Sequence, residues 1–237
     1  MDPLISVIVV TYNRAHYLKD ALDSIQRQSF KDYEVILVDD GSTDNTKDIV
    51  EQYKGVRYIY QEHGGISKAR NTAVRAAKGK WIATLDSDDL WKEEKLQKQV
   101  DYLEAHPDCR IVFTAFCNFA DVPENMLNER QEKLLLSAGK TYLPSALIDT
   151  KLFDEIGLYD ETIEWGEDIV WIYRSSIFFK VDTGHCIDEV LYLRRVHGSN
   201  VSITTKEVSN LDIWKMLAAA YRNTKRVKIS YSKSCNS

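Results

Sequence analysis

The feature that most constrains the fold is a regular alternation of apolar segments and amphipathic segments over residues 4–116. Short apolar runs rich in β-branched residues predict strands, and the segments between them carry apolar residues at helical spacing. The predicted strands cover residues 4–10, 34–38, 56–60, 81–85 and 111–114. Strands that alternate with helices through short connections favour a mostly parallel sheet with right-handed crossovers and helices on its faces. We therefore predict an α/β fold.

The pattern weakens after about residue 117. Residues 118–140 mix proline, asparagine, glutamate and lysine and predict a long loop. Helices are predicted at 150–157 and 167–179, and a short strand at 186–193. This part of the chain is expected to complete the same domain.

Composition supports one folded domain and excludes several classes of protein. The chain has 237 residues, 44% of them hydrophobic, which is enough for a substantial core. The formal net charge of −5 provides no general attraction for nucleic acid. The four cysteines form no CxxC pair, which argues against a zinc site and a disulfide framework and suits a reducing cytoplasm. No segment approaches the roughly 20 apolar residues of a membrane span, so we expect a cytoplasmic protein.

Three carboxylates lie within four residues directly after the fourth predicted strand, at Asp86, Asp88 and Asp89. Parallel strands present ligand-binding groups at their carboxyl ends, so these acids are expected at the mouth of a site. Clustered carboxylates repel one another and lose hydration, which costs stability unless a cation compensates. Mg²⁺ or Mn²⁺, recruited with a phosphate-bearing substrate, is the natural partner. The alternative is a solvated acidic turn that caps the next helix, and this stretch alone does not decide between them.

Four other motifs occur in order around this acidic stretch. The five together are Thr11-Tyr12-Asn13-Arg14, Val38-Asp39-Asp40-Gly41-Ser42-Thr43-Asp44, Gly64-Gly65-Ile66-Ser67-Lys68-Ala69-Arg70-Asn71, Leu85-Asp86-Ser87-Asp88-Asp89 and Gly166-Glu167-Asp168. This series resembles the GT-A family 2 glycosyltransferases, which are mostly inverting, metal-dependent enzymes that use nucleotide sugars. The resemblance implies a single GT-A (Rossmann-like) domain, with a nucleotide-sugar-binding half at 1–116 and an acceptor-binding half at 117–205. A C-terminal amphipathic helical tail is predicted at 206–237.

The resemblance implies donor-binding roles for several side chains. Tyr12 would stack on the nucleobase, and Asp40 would accept a hydrogen bond from a base N–H group. Arg70 matches the nucleotide-contacting arginine of the family, and Lys68 would lie beside the diphosphate. The alternatives are a core tyrosine, an N-cap carboxylate and cations on an exposed helix face. The complete predicted donor set is Tyr12, Asp40, Lys68, Arg70, Asp86 and Ser87.

The resemblance also implies a metal site and a catalytic base. Asp88 would bind the metal, Asp86 would contact the metal or the ribose, and His197 would add a third ligand or hold a loop over the site. The metal would offset charge on the departing nucleoside diphosphate. Asp168 would take the proton of the acceptor hydroxyl, although acids are also common in a first helical turn. Asp89 is expected to hydrogen-bond locally or to cap the following helix.

We therefore predict transfer of a sugar, with inversion, from a nucleoside diphosphate sugar, favoured as UDP-sugar, to a saccharide or lipid-linked saccharide acceptor. The setting implied is bacterial surface polysaccharide or glycolipid synthesis, and the short chain favours transfer of one sugar over polymer synthesis. The basic tail at 206–237 is expected to pack on the domain, with peripheral contact at the inner face of the cell membrane as the alternative. Two other hypotheses remain: a haloacid-dehalogenase-type phosphotransferase and a non-catalytic sugar-nucleotide-binding partner subunit.

Overall fold

The computed structural model describes residues 2–121, 128–136, 138–139, 142–163 and 165–197, and the predicted tail at 206–237 lies outside them. The strands are β1 Ile5–Thr11, β2 Tyr33–Asp39, β3 Val56–Tyr60, β4 Trp81–Asp86, β5 Leu90–Trp91, β6 Ile111–Phe119, β7 Ala138–Gly139, β8 Leu147–Asp149 and β9 Cys186–Arg195. The helices are α1 Ala15–Gln26, α2 Thr46–Val50, α3 Ile66–Ala76, α4 Lys95–Ala105, α5 Glu129–Leu135, α6 Lys151–Ile156 and α7 Glu167–Phe179, with a 3₁₀ turn at Leu143–Ser145. Across this described part of the chain, no helix has the length and apolar character needed to cross a membrane.

The strands form one sheet in the order β3-β2-β1-β4-β8-β6-β9-β5, and β7 pairs with β6. Strands β3, β2, β1 and β4 are parallel to one another, and β9 is parallel to β6. The register places Thr11 beside Asp39 and Val10 beside Asp86. The carboxyl ends of β1, β2 and β4 therefore meet at one edge. The predicted α/β fold, a mostly parallel sheet flanked by helices, is confirmed.

Helices cover both faces of the sheet, which explains why its central strands are almost continuously apolar. Successive side chains of a strand point to opposite faces, so each strand contributes to two cores. In β1, Val7 and Val9 join the core that contains Leu22 of α1 and several residues of α4. Ile8 faces the other way and joins the core that contains Trp171 of α7 and residues of α3 and α6.

The structure corrects three predictions of secondary structure. The strand at 147–149 was not predicted, and it lies antiparallel between β4 and β6, so the fourth and fifth predicted strands are not neighbours. The predicted loop at 118–140 is wrong in part, because it contains the end of β6 and helix α5. The helix that was expected to follow Asp89 directly begins only at Lys95, after the short strand β5. A three-residue strand is too short for a periodic pattern, and α5 is too polar to show an apolar stripe.

Helix α4 buries a lysine among neutral partners. Lys95 has no exposed surface, its Nζ donates to Gln99 Oε1 at 2.8 Å, and it lies 4.3 Å from the centroid of the Trp91 ring. Burial lowers the pKa of Lys95 to about 7. The folded protein therefore loses this proton at a pH where the unfolded chain still holds it.

We expect the free energy of unfolding to rise between about pH 7 and pH 10 because of Lys95, and Lys95→Met to remove that contribution. In this range the unfolded state binds the extra proton, so stability gains up to about 1.4 kcal/mol per pH unit. Urea unfolding of both proteins across this range measures the difference. Loss of the bond to Gln99 costs the same at every pH, so it does not alter the slope. Parallel stability curves for the two proteins would contradict the assignment.

Candidate active site

The site begins with the turns after β1 and β2, which are tied to each other. The backbone N–H of Asn13 donates to Ser42 Oγ at 2.8 Å, and Asn13 Oδ1 accepts the Thr43 N–H at 2.8 Å. Asn13 has a φ of 51°, a left-handed conformation that asparagine tolerates. Tyr12 is 42% exposed at this edge, and its ring stacks on the ring of His63 with centroids 4.1 Å apart. An aromatic platform therefore stands at the carboxyl end of β1.

Asp40 is buried, and its carboxylate accepts hydrogen bonds from the loop that precedes α3. Its Oδ1 accepts from Gln61 Nε2 at 2.6 Å and from the Gly64 N–H at 3.0 Å. Its Oδ2 accepts the Gly65 N–H at 2.9 Å and lies 2.9 Å from His63 Nδ1. A carboxylate has about four acceptor positions, so a nucleobase would have to displace one of these partners. The contact between Asp40 and a nucleobase stays a prediction.

Gly65 and Lys68 shape the start of α3. Gly65 has a φ of 89°, in the region that favours glycine, and it directly precedes the helix. Lys68 is exposed, and its side chain lies against Gly64, where an added Cβ would collide with it. Lys68 therefore lies beside the Gly64-Gly65 backbone, and its contact with a diphosphate stays a prediction.

Arg70 lies beneath the acidic turn, with only 4% of its surface exposed. Its Nη2 donates to Asp86 Oδ1 at 2.9 Å, and its Nη1 forms an ion pair with Glu167 Oε1. Burial opposes the charge on Arg70, but Glu167 and Asp86 outweigh it and raise the pKa of the guanidinium. Burial also raises the pKa of Glu167, and the Arg70 charge opposes that rise. Arg70 thus links α3, β4 and α7, and a direct nucleotide contact stays a prediction.

Asp86 ends β4 and faces the acceptor-binding half predicted from the sequence. Its Oδ2 accepts a hydrogen bond from the Tyr142 hydroxyl at 3.1 Å, opposite the bond from Arg70. Burial raises the pKa of Asp86, and Arg70 opposes that rise. Ser87, the next residue, is buried. Asp86 is therefore held between two side chains from different parts of the chain.

Asp88 and His197 meet at the outer side of the acidic turn. His197 Nε2 lies 2.9 Å from Asp88 Oδ2, and Arg14 Nε lies 3.8 Å from the same oxygen. A carboxylate oxygen suits both Mn²⁺ and Mg²⁺, whereas an imidazole nitrogen is a ligand of transition metals and favours Mn²⁺ of the two. No group of three or more such ligands is assembled within the described residues. These two side chains fit a divalent cation only if other ligands, such as diphosphate oxygens, complete its coordination.

Asp89 connects the acidic turn to β9. It is 2% exposed, its Oδ2 accepts the Tyr192 hydroxyl at 2.7 Å, and its Oδ1 accepts the Arg195 backbone N–H at 2.8 Å. Burial raises the pKa of Asp89, and the nearby charges of Asp88 and Asp86 add to the rise. The expectation that Asp89 caps the next helix is wrong, because β5 follows it. Its backbone N–H does bond locally, to the Asp86 carbonyl at 3.0 Å, but both partners of its side chain lie on a distant strand.

Asp168 lies in the first turn of α7, where Gly166 has a left-handed φ of 76°. Its side chain is half-buried, and its Oδ1 accepts the N–H of Ile169 at 2.8 Å. The Asp168 charge contributes to the raised pKa of Asp86, after burial and other charges, so the two carboxylates share one electrostatic environment. The role of Asp168 as a base stays a prediction.

Several residues of this site were not predicted from the sequence, Tyr142, His63 and Glu167 among them. Tyr142 lies in a segment without a motif, and His63 was given no role, although it directly precedes Gly64. Glu167 was noted only as the neighbour of Asp168. The signal that was available for Glu167 is its position in an acidic pair that opens a helix, since one member of such a pair faces the protein interior.

Comparison with known proteins gives an independent test of the resemblance. The model of glycosyl transferase family 2 matches residues 6–159. The chain is 30% identical over 216 residues to the uncharacterized glycosyltransferase RP339 of Rickettsia prowazekii, which covers 86% of this chain and 67% of that protein. It is 41% identical over 119 residues to the putative teichuronic acid biosynthesis glycosyltransferase TuaG of Bacillus subtilis, covering 48% of this chain and 47% of TuaG. The matched segment thus spans about half of this chain and about half the length of TuaG.

Solved structures show the same fold. A fragment of S. aureus TarS in complex with UDP-GlcNAc matches 93% of this chain and 65% of its own, with a TM-score of 0.72 and 25% identity. The mannosyltransferase PcManGT of Pyrobaculum calidifontis, in complex with GDP-Man and Mn²⁺, shares the fold with a TM-score of 0.63 and 23% identity. The family model covers residues 6–159, and RP339 matches 86% of this chain at 30% identity, so this chain belongs to glycosyl transferase family 2.

Proposed function

We propose that this protein transfers a sugar from a UDP-sugar to a hydroxyl group, with inversion at the anomeric carbon. The observation that carries the proposal is the meeting of Asp88 with His197 at the sheet edge where Tyr12 is exposed and where Asp168 opens α7. UDP is supported as the nucleotide because TarS, at 25% identity, is solved with UDP-GlcNAc and with UDP.

The acceptor we propose is a saccharide or a lipid-linked saccharide in the synthesis of a bacterial surface polysaccharide or glycolipid. The similarity to TuaG, described as a teichuronic acid biosynthesis glycosyltransferase, supports this setting. The cysteines that the structure describes, Cys109, Cys117 and Cys186, are free thiols, which suits a cytoplasmic location.

On the donor side, Tyr12 would stack on the base, and Lys68 would approach the diphosphate from the start of α3. Asp40 would contact the base from the loop that it organises. Arg70 would act on the nucleotide by fixing Asp86, which would then face the ribose. Stacking on an aromatic ring is worth about 1–3 kcal/mol per base, so Tyr12 would make a large contribution to donor affinity.

On the leaving-group side, Asp88 and His197 would hold the divalent cation, Mg²⁺ or Mn²⁺, with Asp86 beside it. The bound cation would offset the charge that develops on the departing nucleoside diphosphate. The two side chains already face one another at 2.9 Å, so little rearrangement of this chain is needed to present them to an ion.

On the acceptor side, the Asp168 carboxylate would accept the proton of the attacking hydroxyl. Glu167 is committed to Arg70, so Asp168 is the acid of the pair that we assign to this step. Asp168 lies in the first turn of α7, and a carboxylate within hydrogen-bond reach of the acceptor hydroxyl can act as the base. The hydroxyl oxygen would attack the anomeric carbon on the side opposite the diphosphate, which inverts its configuration.

We expect UDP and UDP-GlcNAc to raise the midpoint of thermal unfolding in Mn²⁺ or Mg²⁺, and the rise to shrink in chelator. A ligand that binds only the folded state adds about 2.7 kcal/mol at one hundred times its Kd. GDP and GDP-Man complete the panel. Asp88→Asn should lose the metal-dependent part of the rise, whereas Asp182→Asn, a change at an exposed carboxylate, should keep it.

Two results would contradict this scheme in different ways. If no nucleotide changes the midpoint of the unaltered protein, the proposed donor site is wrong. If nucleotide binding is present but Asp88→Asn keeps its full metal dependence, Asp88 is not a metal ligand.

A further inference from the structure

One buried arginine contacts the acidic turn from the interior of the protein. Arg195 is the last residue of β9 and is 3% exposed. Its Nε donates to the backbone carbonyl of Asp88 at 2.8 Å, and its own backbone N–H donates to Asp89 Oδ1 at 2.8 Å. The turn itself is closed by a hydrogen bond from the Asp89 N–H to the Asp86 carbonyl at 3.0 Å. Arg195 therefore holds the residues on both sides of the peptide bond that follows Asp88.

The guanidinium of Arg195 is itself held from several sides. Its Nη2 donates to Asp20 Oδ2 of α1 at 3.0 Å, and its Nη1 forms an ion pair with Asp121, just beyond β6. The rings of Tyr17 and Phe119 lie 4.9 Å and 4.8 Å from its central carbon. A planar group with five donors in fixed directions can satisfy three such partners at once, and a lysine ammonium cannot reproduce that geometry.

The same elements position His197. His197 lies two positions after Arg195, the last residue of β9, and its ring lies 4.6 Å from the ring of Tyr17. Tyr17 thus contacts both Arg195 and His197 from helix α1. Tyr192 lies three residues before Arg195 in β9, and its hydroxyl donates to Asp89 Oδ2 at 2.7 Å. Strand β9 and helix α1 therefore fix the two candidate cation ligands, Asp88 and His197, relative to each other.

We propose that Arg195 is the positioning residue of the cation site: it sets the backbone at Asp88 and the course of the chain into His197, so that both ligands face one ion. This inference rests on the proposed function, because it needs Asp88 and His197 to bind the cation. Arg195 touches neither nucleotide nor ion in this scheme. Groups that orient metal ligands in this way typically contribute about 10–100-fold to metal affinity.

The test is the affinity for UDP, measured by titration calorimetry in Mn²⁺ and again in chelator, for the full chain and for Arg195→Lys. We expect the substitution to lower the affinity in Mn²⁺ by about tenfold or more and to change the affinity in chelator by less than about twofold. The matched control is Arg110→Lys. Arg110 also bridges two carboxylates, Asp149 at 2.9 Å and Glu155 at 2.7 Å, but it lies at the opposite edge of the sheet.

The outcomes separate this inference from the proposed function. If Mn²⁺ does not alter UDP affinity in the unaltered protein, the cation site and the role of Arg195 both fail. If Asp88→Asn abolishes the effect of Mn²⁺ but Arg195→Lys retains it, only the role of Arg195 is overturned. Equal losses in Mn²⁺ and in chelator would show general disruption of the site and would also overturn it.

A second variant covers the case in which Arg195→Lys does not fold. Asp20→Asn removes one anchor of the guanidinium at a side chain that is 56% exposed, so the fold should persist. We expect a loss of about two- to fivefold in affinity for UDP in Mn²⁺, with no change in chelator. An unchanged affinity in Mn²⁺ would overturn the inference.

Discussion

Replacing Asp168 by asparagine is expected to lower the rate of sugar transfer by roughly 10²–10⁴-fold while leaving UDP-GlcNAc binding intact. The amide has nearly the same size and can still accept the hydrogen bond from the Ile169 N–H through its oxygen, so the start of α7 should be preserved. What it cannot do is take a proton from an attacking hydroxyl. Release of UDP from UDP-GlcNAc, with water as the acceptor, measures the rate, and NMR of the fresh product reports the anomeric configuration.

The matched control is Asp154→Asn, which alters another carboxylate in the first turn of a helix, α6, at an exposed position. Its rate should equal that of the unaltered protein. Full activity of Asp168→Asn would move the base elsewhere, with Glu167 the nearest other acid. Retention of configuration would exclude direct displacement. A protein that binds UDP-GlcNAc but never releases UDP would favour the non-catalytic partner subunit.

Replacing Arg70 by methionine is expected to lower the free energy of unfolding by about 3–5 kcal/mol. Arg70 and Glu167 are both nearly fully buried, and Asp86 shares the same cation. Removing the arginine leaves their carboxylates in a poorly hydrated place without a compensating charge. Urea unfolding at neutral pH measures the loss, which should be accompanied by weaker binding of UDP because Asp86 loses its anchor.

The pH dependence of this loss separates charge from packing. Burial raises the pKa of Glu167 to about 7 in the unaltered protein, and the charge of Arg70 opposes that rise. Without Arg70 the pKa of Glu167 should rise further, so the folded variant holds this proton up to a higher pH than the unaltered protein does. The stability deficit of the variant should therefore grow from about pH 6 to about pH 8. Arg110→Met is the matched control: its two ion pairs are partly exposed, so it should cost about 1 kcal/mol or less. A deficit in Arg70→Met that is the same at both pH values would point to lost packing.

The first half of the fold was predictable because its strands are apolar on both faces and its connections are short. The continuous apolar runs at residues 4–10 and 81–85 are typical of central strands of a parallel sheet, which are buried on both faces. Both strands are central in the structure. The strand at 147–149 was not predictable in this way, because three apolar residues carry no period. Its place between β4 and β6 follows from pairing with partners more than thirty residues away in sequence, which no local pattern encodes.

In the candidate site, too, residues next to strand ends could be located from the sequence, whereas residues brought in by long-range contacts could not. Tyr12 and Asp86 were located from the sequence because each directly follows or ends a strand, and the register then brings those ends together. Tyr142 and Arg195 reach the acidic turn from residues 56 and about 107 positions away. A tyrosine or an arginine in a weakly patterned segment is usually a surface residue, so only the folded chain shows that both are directed at the turn.

The antiparallel strand β8 has a consequence for the order in which the protein can fold during synthesis. Until residues 147–149 have emerged, β4 and β6 have no partner between them, and each exposes unpaired backbone groups along an apolar edge. The half of the chain made first, although it carries most of the predicted donor site, therefore cannot close its sheet alone. In the nascent chain these strand edges stay unpaired until the second half has been synthesised, because non-local strand pairing is slow. Unpaired apolar edges can associate with other chains, and chaperones protect chains in this state.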